Sequence, residues 1–283
     1  ASPNVPPMKD PANEPKTTEI AAADAPAFPS PEKMPKVADD PPIAPRQGRK
    51  PMAAPPEAEG LVRVTPNHDV WLDGKNKRIV LGAKVVLTQG PLELFCTLAE
   101  EKEHEAVVSV LTEAYFVHAA LLTFGFEPGH PVRFRPDYVA AEGPEVEITV
   151  HWTDKDGKRQ SARAQDWVRD ADSGKPLSYP FVFGGSGFWQ DEETGKQHYL
   201  AEGGDFICVS NFPSAMLDLP IRSSDTNSSL LYEAFTENIP PRGTEVALVL
   251  APKPWKKPAG NQPDQPKKTE GNDDGPVEAP PAE

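Results

Sequence analysis

Proline is the residue that most limits what this chain can fold into, because it fixes φ and removes a backbone hydrogen-bond donor. Of its 35 prolines, 15 lie in residues 1–59 and 8 lie in residues 252–283. Both segments contain few large apolar residues, so burial cannot offset the conformational entropy that ordering would cost. We therefore predict a disordered leader over 1–59, a folded domain over 60–251 and a disordered tail over 252–283.

The chain is acidic, with a formal net charge of −14. The leader contributes −2 and the segment from Lys253 onward −1, which leaves −11 on the predicted domain. A broad negative field repels phosphate groups and so argues against a nucleic-acid partner or an anionic membrane surface. No apolar run approaches the ~18 residues that a membrane-spanning helix needs, so no transmembrane segment is predicted in this chain.

The sequence begins at Ala1 rather than at methionine, and a proline-rich leader precedes the predicted domain. This arrangement is typical of an exported protein that a flexible linker holds at a cell envelope. We therefore expect an extracytoplasmic location, either in the periplasm and envelope or secreted. A chain boundary without biological meaning is the alternative interpretation.

Apolar and polar residues alternate through most of the predicted domain with the period of two that half-buried strands show. The alternation is clearest in 145–152, where Val146, Ile148 and Val150 are separated by polar residues. An Asp-Gly turn at 154–157 then leads into the next strand. The predicted strands are 61–64, 70–73, 78–87, 92–98, 106–111, 131–135, 145–152, 159–168, 181–183, 198–200, 206–209 and 245–250.

Two segments show helical spacing instead. Apolar residues recur every three or four positions from Ala114 to Phe124, and Gly125 can end a helix there. We place the principal helix at about 113–125 and a shorter one at about 228–235. Because strands outnumber helices and short turns join many of them, the predicted fold is α+β and mainly antiparallel.

Three stretches carry a family resemblance: KEHE at 102–105 with HAALL at 118–122 and EPG at 127–129, FVFGGSGFW at 181–189, and GGDFICVSNFP at 203–213. Together they resemble the YdjY-type domain of bacterial envelope and secreted proteins, over about 61–251. The resemblance implies a domain of unsettled function. Members are sometimes described as ferredoxin-like, but a cubane cluster needs about four thiolates and this chain has 2 cysteines. We therefore expect no iron–sulfur cluster and predict no cofactor.

His104, Glu105 and His118 are the strongest candidates for chemistry. Two imidazoles and a carboxylate could hold zinc or a similar divalent ion, and the same groups could act as general acid and base near neutral pH. However, the gap of fourteen residues between the two histidines matches no known metal spacing. The alternative is that His118 donates a hydrogen bond at the edge of the core and that 102–105 is a solvated loop.

The glycine-rich loop Gly184, Gly185, Ser186 and Gly187 is a second candidate. Glycines allow backbone amides to face an anion or an oxyanion, and a serine between glycines suggests a nucleophile. The stretch nevertheless fails the G-x-S-x-G pattern at its last position. The alternative is a bulge that lets the neighbouring aromatic residues pack.

Glu202 and Asp205 flank a glycine pair just before a predicted strand. Carboxylates on such a turn could hold calcium through their oxygens, although no EF-hand spacing is present. The alternative is an acidic turn in solvent.

Cys96 and Cys208 both lie in predicted strands with apolar neighbours. In an exported protein they could form a disulfide, and the entropic model gives such a long loop about 4–5 kcal/mol of stabilisation. Sequence alone does not place them within bridging distance. Two buried free thiols are the alternative.

No complete catalytic motif is present, so we expect a non-catalytic module of the envelope with a binding or structural role. Its partner would be an envelope protein or a small ligand. The alternative function is a metal-dependent or hydrolytic enzyme that uses His104, Glu105 and His118. A redox function is disfavoured because the chain has no C-x-x-C motif.

Overall fold

The computed structural model describes residues 49–191, 194–223 and 230–256. The remaining parts of the predicted leader and tail, 1–48 and 257–283, lie outside the described residues. Within the described ranges the chain forms fifteen strands and one α-helix, α1 (Ala114–Thr123). The strands are β1 (Val62–Arg63), β2 (Val70–Asp73), β3 (Arg78–Val85), β4 (Leu94–Leu98), β5 (Ala106–Val110), β6 (Glu145–Thr153), β7 (Arg159–Arg163), β8 (Val168–Asp170), β9 (Phe181–Phe183), β10 (Phe188–Gln190), β11 (Gln197–Tyr199), β12 (Ile207–Cys208), β13 (Leu217–Asp218), β14 (Tyr232–Ala234) and β15 (Glu245–Pro252).

Eight of these strands close into a barrel. Their order around the ring is β3, β15, β6, β9, β13, β12, β4 and β5, and β5 pairs with β3 to complete it. The pairs β4–β5 and β12–β13 are parallel, and the other pairs of the ring are antiparallel. Strands β1 and β2 extend the sheet from β3, and β7 pairs with β6 outside the ring. Closure pairs the ring strands on both sides and so leaves little free sheet edge.

The predicted α+β class with two helices is wrong, because the domain is mostly β around a closed barrel and contains a single α-helix in its described part. The predicted second helix, 228–235, instead supplies β14; its first two residues lie outside the described ranges. Tyr232 and Ala234 are buried on either side of a half-buried Glu233, which is the period of a strand. Pairing with β8 satisfies the backbone of this segment, whereas a helix of two turns is marginal.

Helix α1 closes one end of the barrel. At this end β3 and β6 begin and β15 finishes, and β4 and β5 run in parallel toward it. The helix follows β5, corresponds to the predicted helix at 113–125, and is succeeded by Gly125 at a φ of +85°. Its buried residues, Val117 and Leu121 among them, join the main core formed by the barrel strands. We call this the helix end of the barrel.

Residues 49–59, which the sequence analysis assigned to the leader, contact the barrel. Arg49 donates from Nη1 to the carbonyl and hydroxyl oxygens of Ser109, at 3.2 and 3.0 Å. The amide of Met52 donates to the buried carboxylate of Asp69 at 2.9 Å. These hydrogen bonds fix the start of the described chain against the sheet where β2 and β5 both meet β3.

Candidate functional site

His118 lies on the buried face of α1, and its side chain is 0% exposed. The imidazole ring packs edge-on against Phe183, with 4.8 Å between ring centroids. Its Nδ1 lies 2.8 Å from Oη of Tyr199. Because that hydroxyl donates to the carbonyl oxygen of Gly185 at 3.1 Å, the imidazole donates to it from Nδ1. Burial lowers the pKa of His118 to about 3, so the ring is neutral at physiological pH.

The glycine-rich loop 184–187 packs closely against the segment after α1. A Cβ on Gly185, at a φ of +95°, would lie 2.5 Å from Cβ of Pro128, so only glycine fits. The amides of Gly184 and Gly185 donate to backbone carbonyls at 3.1 and 3.0 Å, and Gly187 accepts a backbone bond of 2.9 Å. Two of the amides proposed to face an anion are therefore engaged within the backbone.

Ser186 connects this loop to the chain before β13. Its hydroxyl donates to the carbonyl oxygen of Ser214 at 2.6 Å. A nucleophilic serine must give its proton to a base. The one proton of the Ser186 hydroxyl is instead held by a backbone carbonyl.

Glu202 caps the N-terminus of α1. Its two carboxylate oxygens accept from the amides of Ala114 at 3.1 Å and Tyr115 at 2.8 Å, which satisfies donors that the helix itself leaves unpaired. The side chain of Glu113 lies beside that of Glu202 and favours the protonated form of Glu202. Burial, followed by the hydrogen bond and charge of Glu113, raises the pKa of Glu202 to about 8.

Asp205 binds a different set of partners from Glu202. Its Oδ1 lies 2.7 Å from Nζ of Lys102, and its Oδ2 accepts from the hydroxyl of Ser214 at 2.5 Å. The ammonium group of Lys102 also lies 4.9 Å from the centre of the Phe212 ring. Both oxygens of Asp205 are therefore engaged by protein donors.

Glu105 belongs to a second carboxyl pair. Its side chain hydrogen-bonds the buried Glu93, and burial, followed by this bond and the charge of Glu105, raises the pKa of Glu93 to about 7. The Nε2 of His104 lies 3.0 Å from Oε1 of Glu105, but the side chain of His104 is 76% exposed.

The structure therefore brings some of the predicted site residues together and separates others. His104 contacts Glu105 in the loop before β5, whereas His118 lies inside the core. Glu202 and Asp205 face different partners. Within residues 49–191, 194–223 and 230–256, no group of three or more histidine, cysteine or acidic side chains is arranged to hold a metal ion. The zinc and calcium hypotheses stay predictions.

Several residues that contact these candidates were not identified from the sequence as site residues. They are Tyr199, Glu113, Glu93, Lys102 and Ser214. Glu113 and Glu202 are 89 positions apart, so their pairing leaves no local pattern that a sequence could show. An acidic residue just before an apolar helix was the one available signal, because a negative charge there suits the helix dipole.

Cys96 and Cys208 are both free thiols and both buried. They lie on paired strands, but Cys96 stands opposite Ile207 while Cys208 stands opposite Leu94. Cys96 packs in the main core, and Cys208 packs in a separate small cluster that includes Leu94. Of the two alternatives left open by the sequence, the structure has the free thiols.

A groove of about 510 Å³, open to solvent, also lies at the helix end of the barrel. It is formed by the end of α1, the turn between β2 and β3, and the chain after β15. The ammonium group of Lys77 lies 5.7 Å from the centre of the Phe126 ring on its wall. We call this surface the groove; its lining residues are Asn76, Lys77, Phe124, Gly125, Phe126, Glu127, Pro144, Pro252, Pro254 and Trp255.

No helix in the described part of the chain has the length and apolar character needed to cross a membrane. A family model described as the YdjY domain matches residues 70–251, which contain α1 and nearly the whole barrel. Comparison with curated proteins and with solved structures gave no match. The family match confirms the resemblance seen in the sequence, and the chain belongs to the YdjY domain family.

Proposed function

We propose that this YdjY domain is a non-catalytic binding module located outside the cytoplasm, and that the groove is its binding surface. One observation carries the proposal: the groove is open to solvent and lined by aromatic rings and prolines, whereas His118 and Glu202 are held by hydrogen bonds within the protein. Aromatic-lined grooves bind polyproline-II segments, because such segments are extended before binding and lose little entropy. The ligand class proposed is therefore an extended, proline-rich segment of an envelope protein.

The alternative function, an enzyme that uses His104, Glu105 and His118, has less support. A general base must come within hydrogen-bond reach of a substrate proton, but the imidazole of His118 is buried and bonded to Tyr199. His104 is accessible, and its Nε2 lies 3.0 Å from Oε1 of Glu105. Neither histidine stands beside the groove, because neither is among the residues that line it.

The extracytoplasmic location is proposed on two grounds. The first is the proline content of both flanks, which suits a domain held on linkers. The second is that the sequence resembles domains of envelope and secreted proteins. Fractionation of cells that produce the full chain tests the location, and recovery of the protein in the cytoplasm would contradict it.

Replacement of Trp255 by alanine is expected to weaken binding of a proline-rich ligand at least tenfold. Trp255 provides the largest ring on the groove wall, and large aromatic side chains dominate the energy of such contacts. The measurement is fluorescence anisotropy of a labelled decaproline peptide titrated with the full chain. Trp189→Ala is the matched control, because Trp189 is 45% exposed on β10 and does not line the groove. Equal affinities for the two variants, or no binding by the unmodified chain, would refute the proposed surface.

A further inference from the structure

The wall of the groove is built partly from the beginning of the chain's own tail. Strand β15 ends at Pro252, and Pro252, Pro254 and Trp255 all line the groove. Lys256 is the last described residue, and 27 more residues follow it. The tail therefore begins inside the proposed binding surface.

The sequence of the tail contains a segment of the class that the groove is proposed to bind. Residues 262–268 read QPDQPKK, with Pro263 and Pro266 three positions apart. A polyproline-II helix has three residues per turn, so both prolines would lie on one face. Gly260 and Asn261 precede this segment, and these residue types favour the reversal that would turn the chain back.

The charged residues of 262–268 also suit the charged residues of the groove. The groove carries one cation, Lys77, and one anion, Glu127. The tail segment also carries both signs: Asp264, then Lys267 three positions later with Lys268 beside it. A segment with prolines on one face and charges of both signs can meet the rings and both charged groups of the groove together.

We propose that residues 262–268 occupy the groove of their own chain and compete there with external ligands. This inference rests on the proposed function, since it takes the groove to bind polyproline-II segments. Only residues 256–261 separate the segment from Trp255, and such a short tether gives an effective concentration on the order of millimolar. The tail then lowers the affinity of the groove for other ligands without abolishing it.

The leader contains prolines at the same spacing, at 3–6, 26–29 and 42–45, but it is the less suitable donor. Arg49 is held at Ser109 of β5, and Ser109 faces Lys84 near the end of β3. The groove lies at the start of β3, beside Asn76. Arg49, which follows the last of these prolines by four positions, is therefore held away from the groove.

Labelled decaproline, titrated with the full chain, tests the inference. In the variant Pro263→Ala/Pro266→Ala the competitor is weakened, so decaproline is expected to bind about tenfold more tightly than to the unmodified chain. The matched control is Pro276→Ala/Pro280→Ala, which removes two prolines of the same tail outside the segment and should leave the affinity unchanged.

The outcomes separate the two proposals. If decaproline binds neither the unmodified chain nor the Pro263→Ala/Pro266→Ala variant, the proposed function fails and the inference fails with it. If it binds both with equal affinity, the groove function stands and the tail inference is overturned. Trp255→Ala protein has an intact tail and an altered groove, so it can serve as a donor of the tail. Adding this donor to the Pro263→Ala/Pro266→Ala variant should leave the binding of decaproline to that variant unchanged. If the donor instead weakens that binding as much as the tethered tail does in the unmodified chain, the tether gives no advantage, and occupancy within one chain is refuted.

Discussion

Replacing His118 with alanine is expected to lower the thermal midpoint of the domain by about 10 °C at pH 7. Removing a ring packed against Phe183 leaves a cavity that costs about 2–4 kcal/mol, and the hydroxyl of Tyr199 loses a partner worth about 1 kcal/mol. A domain of this size loses roughly 2–4 °C per kcal/mol. Calorimetry of the full chain measures the shift. The matched control is His104→Ala. The side chain of His104 is exposed, so its removal should change the thermal midpoint little.

The same substitution should also change how stability depends on pH. The folded-state pKa of His118, about 3, lies below the unfolded value near 6.5. The unfolded chain therefore binds the additional proton, so the contribution of His118 is complete above about pH 6.5 and falls as pH decreases toward 3. His118→Ala removes this dependence. A midpoint for His118→Ala equal to that of the His104→Ala control would contradict a structural role.

Replacing Glu113 with glutamine is expected to raise the thermal midpoint by about 5 °C at pH 8.5 and to leave it nearly unchanged at pH 4.5. In the unmodified chain the carboxyl groups of Glu113 and Glu202 lie side by side at the N-terminus of α1. Glutamine removes the second negative charge and still donates a hydrogen bond to Glu202. Burial is the largest cause of the raised pKa of Glu202, and it remains after the substitution. We therefore expect the free energy of unfolding to rise by only about 1–2 kcal/mol.

The expected change of stability with pH follows from the pKa of Glu202, which is raised to about 8 from an ordinary 4.5. The folded chain keeps a proton that the unfolded chain releases, so stability falls as pH rises from about 4.5 to about 8. Melting curves across this range measure the effect, with Glu59→Gln, an exposed site, as the charge-matched control. If Glu113→Gln and the control melt alike at pH 8.5, the proposed repulsion between Glu113 and Glu202 is disproved.

The longer elements could be predicted from the sequence because their pattern is local. Strand β6 alternates buried and more exposed residues from Glu145 to His151, and α1 ends at Thr123, two residues before the predicted cap at Gly125. The two-residue strand β13 and the three-residue strand β10 were not predicted. The predicted strand 159–168 is divided by a 3-10 helix at Ala164–Trp167, and 131–135 forms only an isolated bridge.

Closure of the barrel could not be predicted, because it depends on pairings between distant segments. Strand β3 pairs with β2 along its first half and with β5 along its second half. No residue pattern in β3 indicates this change of partner. The same holds for the segment that was predicted as a second helix. The alternation at Tyr232 and Ala234 identifies it as a strand only when β8 is present to pair with the segment.

The candidate site was predicted in part. The sequence identified His118, Glu202 and Asp205 as unusual polar residues, and all three prove to be held by specific hydrogen bonds. It did not identify the groove, because four segments distant in sequence form it. Trp255 in particular lies beyond the predicted domain boundary at 251, in a stretch whose composition suggests disorder.

The central claim is that the groove binds ligand while the polar cluster around His118 supports the fold. The direct measurement is nuclear magnetic resonance of the indole N–H groups of the full chain during titration with decaproline. The chain has 5 tryptophans, and one of them, Trp255, lines the groove. The account predicts that the Trp255 signal shifts while the other four and the His118 ring signals stay in place. Shifts centred on His118 with Trp255 unchanged would contradict it.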